Sequence, residues 1–201
     1  MIKIGKKYLG DKNPCFIIAE IGLAHEGSVG IAKSFIDLIS ESGADAVKFQ
    51  MHIAEEESSP KEKFRKKFSS QDKSRWEYWE RTSFSVAQWK ELKNYSEKKK
   101  LIFLCSPFSL KAVEILNDLK IDAWKIASGE FSNYLMIKKI KDVSKKPLIL
   151  STGLSNENEI KNQINNIKGK NFALLQCTSQ YPTQIKNAGH KYIIKFKEKY
   201  K

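Results

Sequence analysis

Along the chain, short runs of β-branched and aromatic residues alternate with longer stretches whose apolar positions recur every three or four residues. Runs of the first kind read as buried strands and those of the second as amphipathic helices. Strands are predicted over residues 16–21, 46–50, 102–106, 123–128, 148–152 and 172–177. Ser28 is placed to cap the first helix, which carries Ile31, Phe35, Leu38 and Ile39 and ends at Gly43. Further helices are predicted over 84–99, 111–119, 133–143 and 156–168, with a last amphipathic stretch from Lys191 to the end. The polar segment before residue 84 is too long for an ordinary connection. It reads as a partly helical insertion on the side where the strands end.

Such alternation is the signature of βα units wound around a parallel sheet. A closed (β/α) barrel takes roughly 250 residues, and this chain has 201. The expected fold class is therefore α/β, a (β/α) TIM-type barrel truncated after about six βα units, with residues 1–201 forming one partial barrel. A doubly wound sheet would accommodate the same pattern, although no G-x-G-x-x-G follows the first strand.

Composition narrows the picture. No apolar run approaches the roughly 18 residues of a membrane span, and the basic N-terminus carries no small-residue cleavage site, so a cytoplasmic chain with no membrane partner is expected. Cys15, Cys105 and Cys177 show no C-x-x-C spacing, which argues against a disulfide framework or structural zinc and predicts buried thiols beside strands. The formal charge of +13 would suit nucleic acid, but the lysines are dispersed and arginine occurs only at positions 65, 75 and 81. Solvated helix faces explain that distribution better, so no nucleic-acid partner is expected. Attraction of small anions stays open.

Each predicted strand ends in residues too polar or too small to serve packing: Glu20, Lys48 with Gln50, Ser106, Lys125 with Ser128 and Glu130, Ser151 with Thr152, and Thr178 with Ser179 and Tyr181. In a parallel barrel that end is the active face. Lys48 and Lys125 lie inside apolar strands, where an unpaired ammonium is costly, so each requires a partner. Three readings are open. The lysines could form ion pairs with Glu20 or Glu130; they could converge with hydroxyls on a phosphate or carboxylate, with Gly129 and Gly153 admitting backbone N–H groups; or one could be a Schiff-base nucleophile. His25 reads as a hydrogen-bonding loop residue, and no histidine pair has helical ligand spacing, so no metal site is predicted within the chain. Trp76, Tyr78 and Trp79 suit either a sugar-stacking lid or packing.

Taken in order, FIIAEIG-x-x-HEG, GADAVKFQ, SPF, KIASGE, STG and LLQCTSQYPT resemble the N-acetylneuraminate (sialic acid) synthase family, including its legionaminate-type members. The resemblance runs from Phe16 to the end and is closer to sialic or legionaminic than to pseudaminic acid synthases. It implies an enzyme, a transferase forming a C–C bond between phosphoenolpyruvate and an N-acylated mannosamine-type sugar with release of phosphate. Glu20, Lys48 and Lys125 are implied as catalytic. Lys48, Ser106, Lys125, Ser128, Ser151 and Ser179 are implied as the phosphoenolpyruvate cradle, with Gln50, Glu130 and Tyr181 as sugar contacts. The family uses a divalent metal, Mn2+ or Mg2+, whose histidine ligands belong to later strands. The resemblance thus implies that these ligands and the C-terminal antifreeze-like domain are absent here, and that this chain alone is inactive or weak. A homodimer or a companion chain would complete the barrel. Ala24 stands where the family usually has Asn, and the segment after YPT departs from the pattern. The alternatives to a synthase are a non-catalytic half-barrel and a Schiff-base barrel aldolase.

Overall fold

The computed structural model describes residues 1–64, 67 and 69–200, so Arg65 lies outside the described residues. The chain divides into two units, one made of Met1 and residues 3–122, the other of Ile2 and residues 123–201.

At the N-terminus, β1 (Ile2–Ile4) pairs with β2 (Lys7–Leu9), a small sheet that the sequence pattern did not predict. Its three-residue strands are too short to display a period. The first unit is built on a parallel sheet in the order β3 (Ile18–Gly22), β4 (Ala46–Met51), β5 (Ile102–Pro107). β4 is paired on both edges and almost wholly buried, which explains why Ala46, Val47, Phe49 and Met51 are apolar on both faces. Helix α1 (Val29–Glu41) starts where Ser28 Oγ accepts the Ile31 N–H, and it buries Ala32 and Ile36. Within the predicted insertion lie α2 (Ala54–Glu57) and α3 (Arg75–Thr82). Next, α4 (Val86–Lys98) is opened by a reciprocal cap between Ser85 and Gln88. Ser109 caps α5 (Leu110–Asp118).

The second unit repeats the scheme with β6 (Trp124–Ile126), β7 (Leu148–Ser151) and β8 (Phe172–Leu175), again parallel and in chain order. Asn133 caps α6 (Tyr134–Val143), and Asn156 with Glu159 caps α7 (Glu157–Asn166). Helix α8 (Lys191–Lys199) follows. All the strands expected from the pattern are present. α4, α6 and α7 begin one or two residues later than the apolar period suggests, because the capping residue itself stays outside the helical conformation, whereas α5 begins one residue earlier. Within each unit the strands follow one another without reversal, as in a (β/α) barrel, whereas a doubly wound sheet turns back at a switch point. Among the described residues no helix is long and apolar enough to cross a membrane.

Two anchors hold the insertion in the first unit. His52 lies between Trp79 and Phe108, with ring centroids 4.8 and 4.0 Å away, and its Nδ1 is 2.6 Å from Glu57 Oε2. Trp79 is thereby packed as core, while Trp76 and Tyr78 remain half-buried. Arg81 forms the second anchor, donating through Nε and Nη2 to the buried Asp72 carboxylate and through Nη1 to Glu26 Oε2. Its guanidinium holds the Asp72 carboxyl below the usual range. Cys15 corrects one expectation: it precedes β3 and is exposed, whereas Cys105 is buried in β5 and Cys177 is half-buried.

Candidate active site

Alternation along β4 sends Lys48 and Gln50 to one face, and His52 continues the same period just beyond the strand. On β5 the residue in register with Lys48 is Leu104, so Ser106 stands one step nearer the C-terminal end on that face. From there the Lys48 ammonium donates to Ser106 Oγ at 3.2 Å and to the Phe49 carbonyl at 3.4 Å. Its third partner is Glu20, in register with it on β3, whose Oε2 is 2.7 Å away. Lys48 is 4% exposed and Ser106 is fully enclosed, whereas the Glu20 side chain is 51% exposed. Gln50 lies beside this group: a Cβ at Gly22 would stand 3.5 Å from Glu20 Oε1 and 3.7 Å from the Gln50 amide carbon. Of the open alternatives for Lys48, the structure shows an ion pair with Glu20 together with a serine hydroxyl.

The second unit repeats this arrangement. Lys125 on β6 is in register with Ile149, and its ammonium donates to Ser151 Oγ at 2.6 Å, again one step further along the neighbouring strand. It also donates to the carbonyl of the following residue, Ile126, as Lys48 does to Phe49. Close by in sequence, Ser128 Oγ accepts the Gly153 N–H at 3.2 Å. A Cβ at Gly153 would stand 2.6 Å from Ser179 Oγ and 3.0 Å from Ser128 Oγ, so glycine at this position lets the two hydroxyls flank the strand end. Gly153 therefore already spends its N–H on a serine, and a Cβ at Gly129 would meet nothing within 4 Å. The Glu130 carboxylate accepts from Asn133 Nδ2 at 2.7 Å. Tyr181 is 95% exposed, and Ser179 is also exposed.

Sequence reading treated His25 as a lone loop residue, yet it is fully enclosed. It stacks on Phe84 with centroids 4.4 Å apart, and Nδ1 accepts the Gly27 N–H at 3.1 Å. The ring proton therefore sits on Nε2, which among the described residues has no partner. Burial pushes the imidazole down from 6.5 to about 4. Also missed were the His52–Glu57 pair, which the period of Lys48 and Gln50 could have flagged, and the Arg81–Asp72 pair, which no spacing rule identifies. An open groove of about 520 Å3, bordered by His52, Glu55, Glu56, Glu80 and Lys111, includes none of the predicted site residues. The divalent metal implied by the resemblance does not fit the donors present: among the described residues no three His, Cys, Asp or Glu side chains gather to hold one.

An ammonium and a hydroxyl paired near the C-terminal ends of adjacent parallel strands have the donor chemistry to hold an oxyanion. Proteins of similar sequence include synthases of sialic acid-type sugars. The chain is 36% identical to the N,N'-diacetyllegionaminic acid synthase of Campylobacter jejuni, over 92% of this chain and 58% of that protein. It is 34% identical to the N-acetylneuraminate-9-phosphate synthase of Mus musculus, over 96% of this chain and 54% of that protein. The chain thus spans about half the length of the curated relatives it matches. The solved N-acetylneuraminic acid synthetase of Leptospira borgpetersenii superposes with a TM-score of 0.84 at 29% identity, covering 99% of this chain and 66% of that one. The fold class is accordingly the α/β architecture of that enzyme, into which a TIM-like barrel fits. With residues 35–201 also matching the profile of the NeuB family, the order of motifs, the paired lysines and serines and the superposition agree, and the chain belongs to that family of sialic acid synthase-type proteins.

Proposed function

We propose that this chain carries phosphoenolpyruvate-binding machinery of a nonulosonate synthase, which condenses phosphoenolpyruvate with an N-acylated mannosamine-type sugar and releases phosphate. One observation supports this above all: an enclosed lysine donating to a serine one step further along the next parallel strand, built once in each unit with the same register. Phosphoenolpyruvate offers a phosphate and a carboxylate, and either suits such a pair. The Leptospira relative, solved in complex with citrate, likewise holds a polyanion.

In the proposed reaction, C3 of phosphoenolpyruvate attacks the aldehyde carbon of the open-chain sugar, forming the new C–C bond. Water adds to C2 of the resulting oxocarbenium-like species, and the tetrahedral intermediate loses phosphate by C–O cleavage. Lys48 and Lys125 hold anionic oxygens and offset charge as it develops, each fixed by its serine. Ser128 and Ser179 supply further hydroxyls beside Gly153. Gln50, Glu130 and Tyr181 are the proposed sugar contacts. The divalent metal that the family resemblance implies would be held by residues other than the described ones, where it would polarise the aldehyde. Homodimerisation or a companion chain belongs to the same proposal, as does a cytoplasmic setting.

Calorimetric titration of the chain with phosphoenolpyruvate tests the reading. Saturable binding is expected, weakened at least about tenfold by Lys125→Ala and by Lys48→Ala, as the loss of a charge-assisted contact implies. Absence of binding, or binding indifferent to both lysines, overturns it.

A further inference from the structure

We infer that Glu20 is a displaceable counter-ion of Lys48, occupying the position on the ammonium that a substrate oxyanion takes and leaving when that oxyanion arrives. The inference rests on the reading of Lys48 as an anion-holding residue given above.

An ammonium has three N–H donors and no more. Those of Lys48 point to Glu20 Oε2 at 2.7 Å, Ser106 Oγ at 3.2 Å and the Phe49 carbonyl at 3.4 Å, so all three are engaged. An oxyanion can bind Lys48 directly only by replacing one of these acceptors. The Phe49 carbonyl is main chain within a strand paired on both edges and cannot withdraw. Ser106 is fully enclosed, and its hydroxyl can donate to an arriving oxyanion without leaving Lys48. Glu20 differs on each count. Its side chain is 51% exposed and carries the same sign of charge as the arriving group, so the two repel if both stay.

There is also room for it to move. Gly22, at a register shift in β3, leaves space over the other Glu20 oxygen, where a Cβ would stand 3.5 Å away, and the Gln50 amide borders the same space. The edge of that amide nearest the space is its oxygen, so withdrawal takes the half-exposed carboxylate outward, toward solvent. The pair serves two purposes: it neutralises an ammonium enclosed in an apolar strand, and it sets a threshold that an anion must exceed to bind. Glu20 is thus a positioning and specificity residue for this site, distinct from the groups that hold substrate.

The test is titration with inorganic phosphate and with phosphoenolpyruvate of the unaltered chain, Glu20→Gln, Glu20→Asp and Lys48→Ala, with thermal unfolding to show that each variant is folded. Displacement predicts that Glu20→Gln binds both anions more tightly, by about tenfold for one charge-assisted contact no longer broken. Glu20→Asp keeps the charge but shortens the reach, and gains part of that increase. Weaker or unchanged binding in Glu20→Gln, with Lys48→Ala weakened, overturns displacement and leaves the reading of Lys48 intact. A gain in Glu20→Gln with none in Glu20→Asp also overturns it, in favour of repulsion through space. If Lys48→Ala binds as the unaltered chain does, or if nothing binds, the underlying reading fails and the inference with it.

Discussion

A methyl group added at residue 153 would meet Ser179 Oγ at 2.6 Å and Ser128 Oγ at 3.0 Å. Gly153→Ala should therefore displace both hydroxyls, lowering phosphoenolpyruvate affinity severalfold and stability by about 1–3 kcal/mol, the usual cost of overpacking. Gly129→Ala, where the added methyl meets nothing within 4 Å, should leave both unchanged in the same calorimetric and urea titrations. His25 yields a prediction about pH. Burial depresses its imidazole from 6.5 to about 4, so as the pH falls the unfolded chain binds the proton first. Its contribution to stability is complete above pH 6.5 and is lost as the pH falls toward 4. The urea midpoint should decline across that window, and His25→Asn, which retains an acceptor for Gly27, should flatten the decline. The depressed carboxyls of Asp45 and Asp72 start from 3.8 and act below the window. Thiol chemistry supplies another check. Burial pushes the Cys105 thiol up, so mass spectrometry after brief alkylation of the folded chain should find Cys15 modified and Cys105 intact.

At the scale of elements, the insertion is the informative case. Its length was legible in the sequence as a polar run without period, but what fixes it to the strands was not. Arg81 and Asp72 are nine residues apart, and the bidentate pair forms only because α3 turns one toward the other. Arg81→Lys keeps the charge and loses the planar fork, and should cost about 1–2 kcal/mol. Arg81→Ala strands the nearly enclosed Asp72 carboxylate and should cost more, about 2–4 kcal/mol by urea denaturation. In both variants amide exchange should quicken in the stretch around α3 before it does in β4. The strands were legible because burial on both faces forces continuous β-branched and aromatic runs. The starts of α4, α6 and α7 were misjudged by a residue or two, since Ser85, Asn133 and Asn156 cap from a non-helical conformation. The N-terminal β1 and β2 were missed because three residues give no pattern to read.

For the whole molecule, the chain order of strands in each unit bears out the barrel-type winding that alternation implied, and the family followed from motifs spread over nearly the entire length. The lysines could be singled out because a cation in an apolar strand is conspicuous. Their serine partners could be listed but not paired, because pairing depends on register, and register is a tertiary property. The Schiff-base alternative is testable at this scale. Lys48 is held as one member of an ion pair and Lys125 by a serine and a carbonyl, whereas imine formation needs an uncommitted amine. Borohydride reduction in the presence of pyruvate should leave the intact mass unchanged; a lysine-dependent adduct would restore the aldolase reading.

The recurring lysine and serine sit on strands whose mutual offset is fixed by main-chain hydrogen bonds, and this has a consequence for re-engineering the protein. The distance from ammonium to hydroxyl is set by the ladder, so it is insulated from the connecting segments. In the loops after β3, β4 and β7, positions other than His25, His52, Glu57 and Gly153 can be exchanged or randomised in a search for altered acceptor choice while the lysine–serine pairs keep their dimensions. A library confined to those loops would vary one property and hold the other constant.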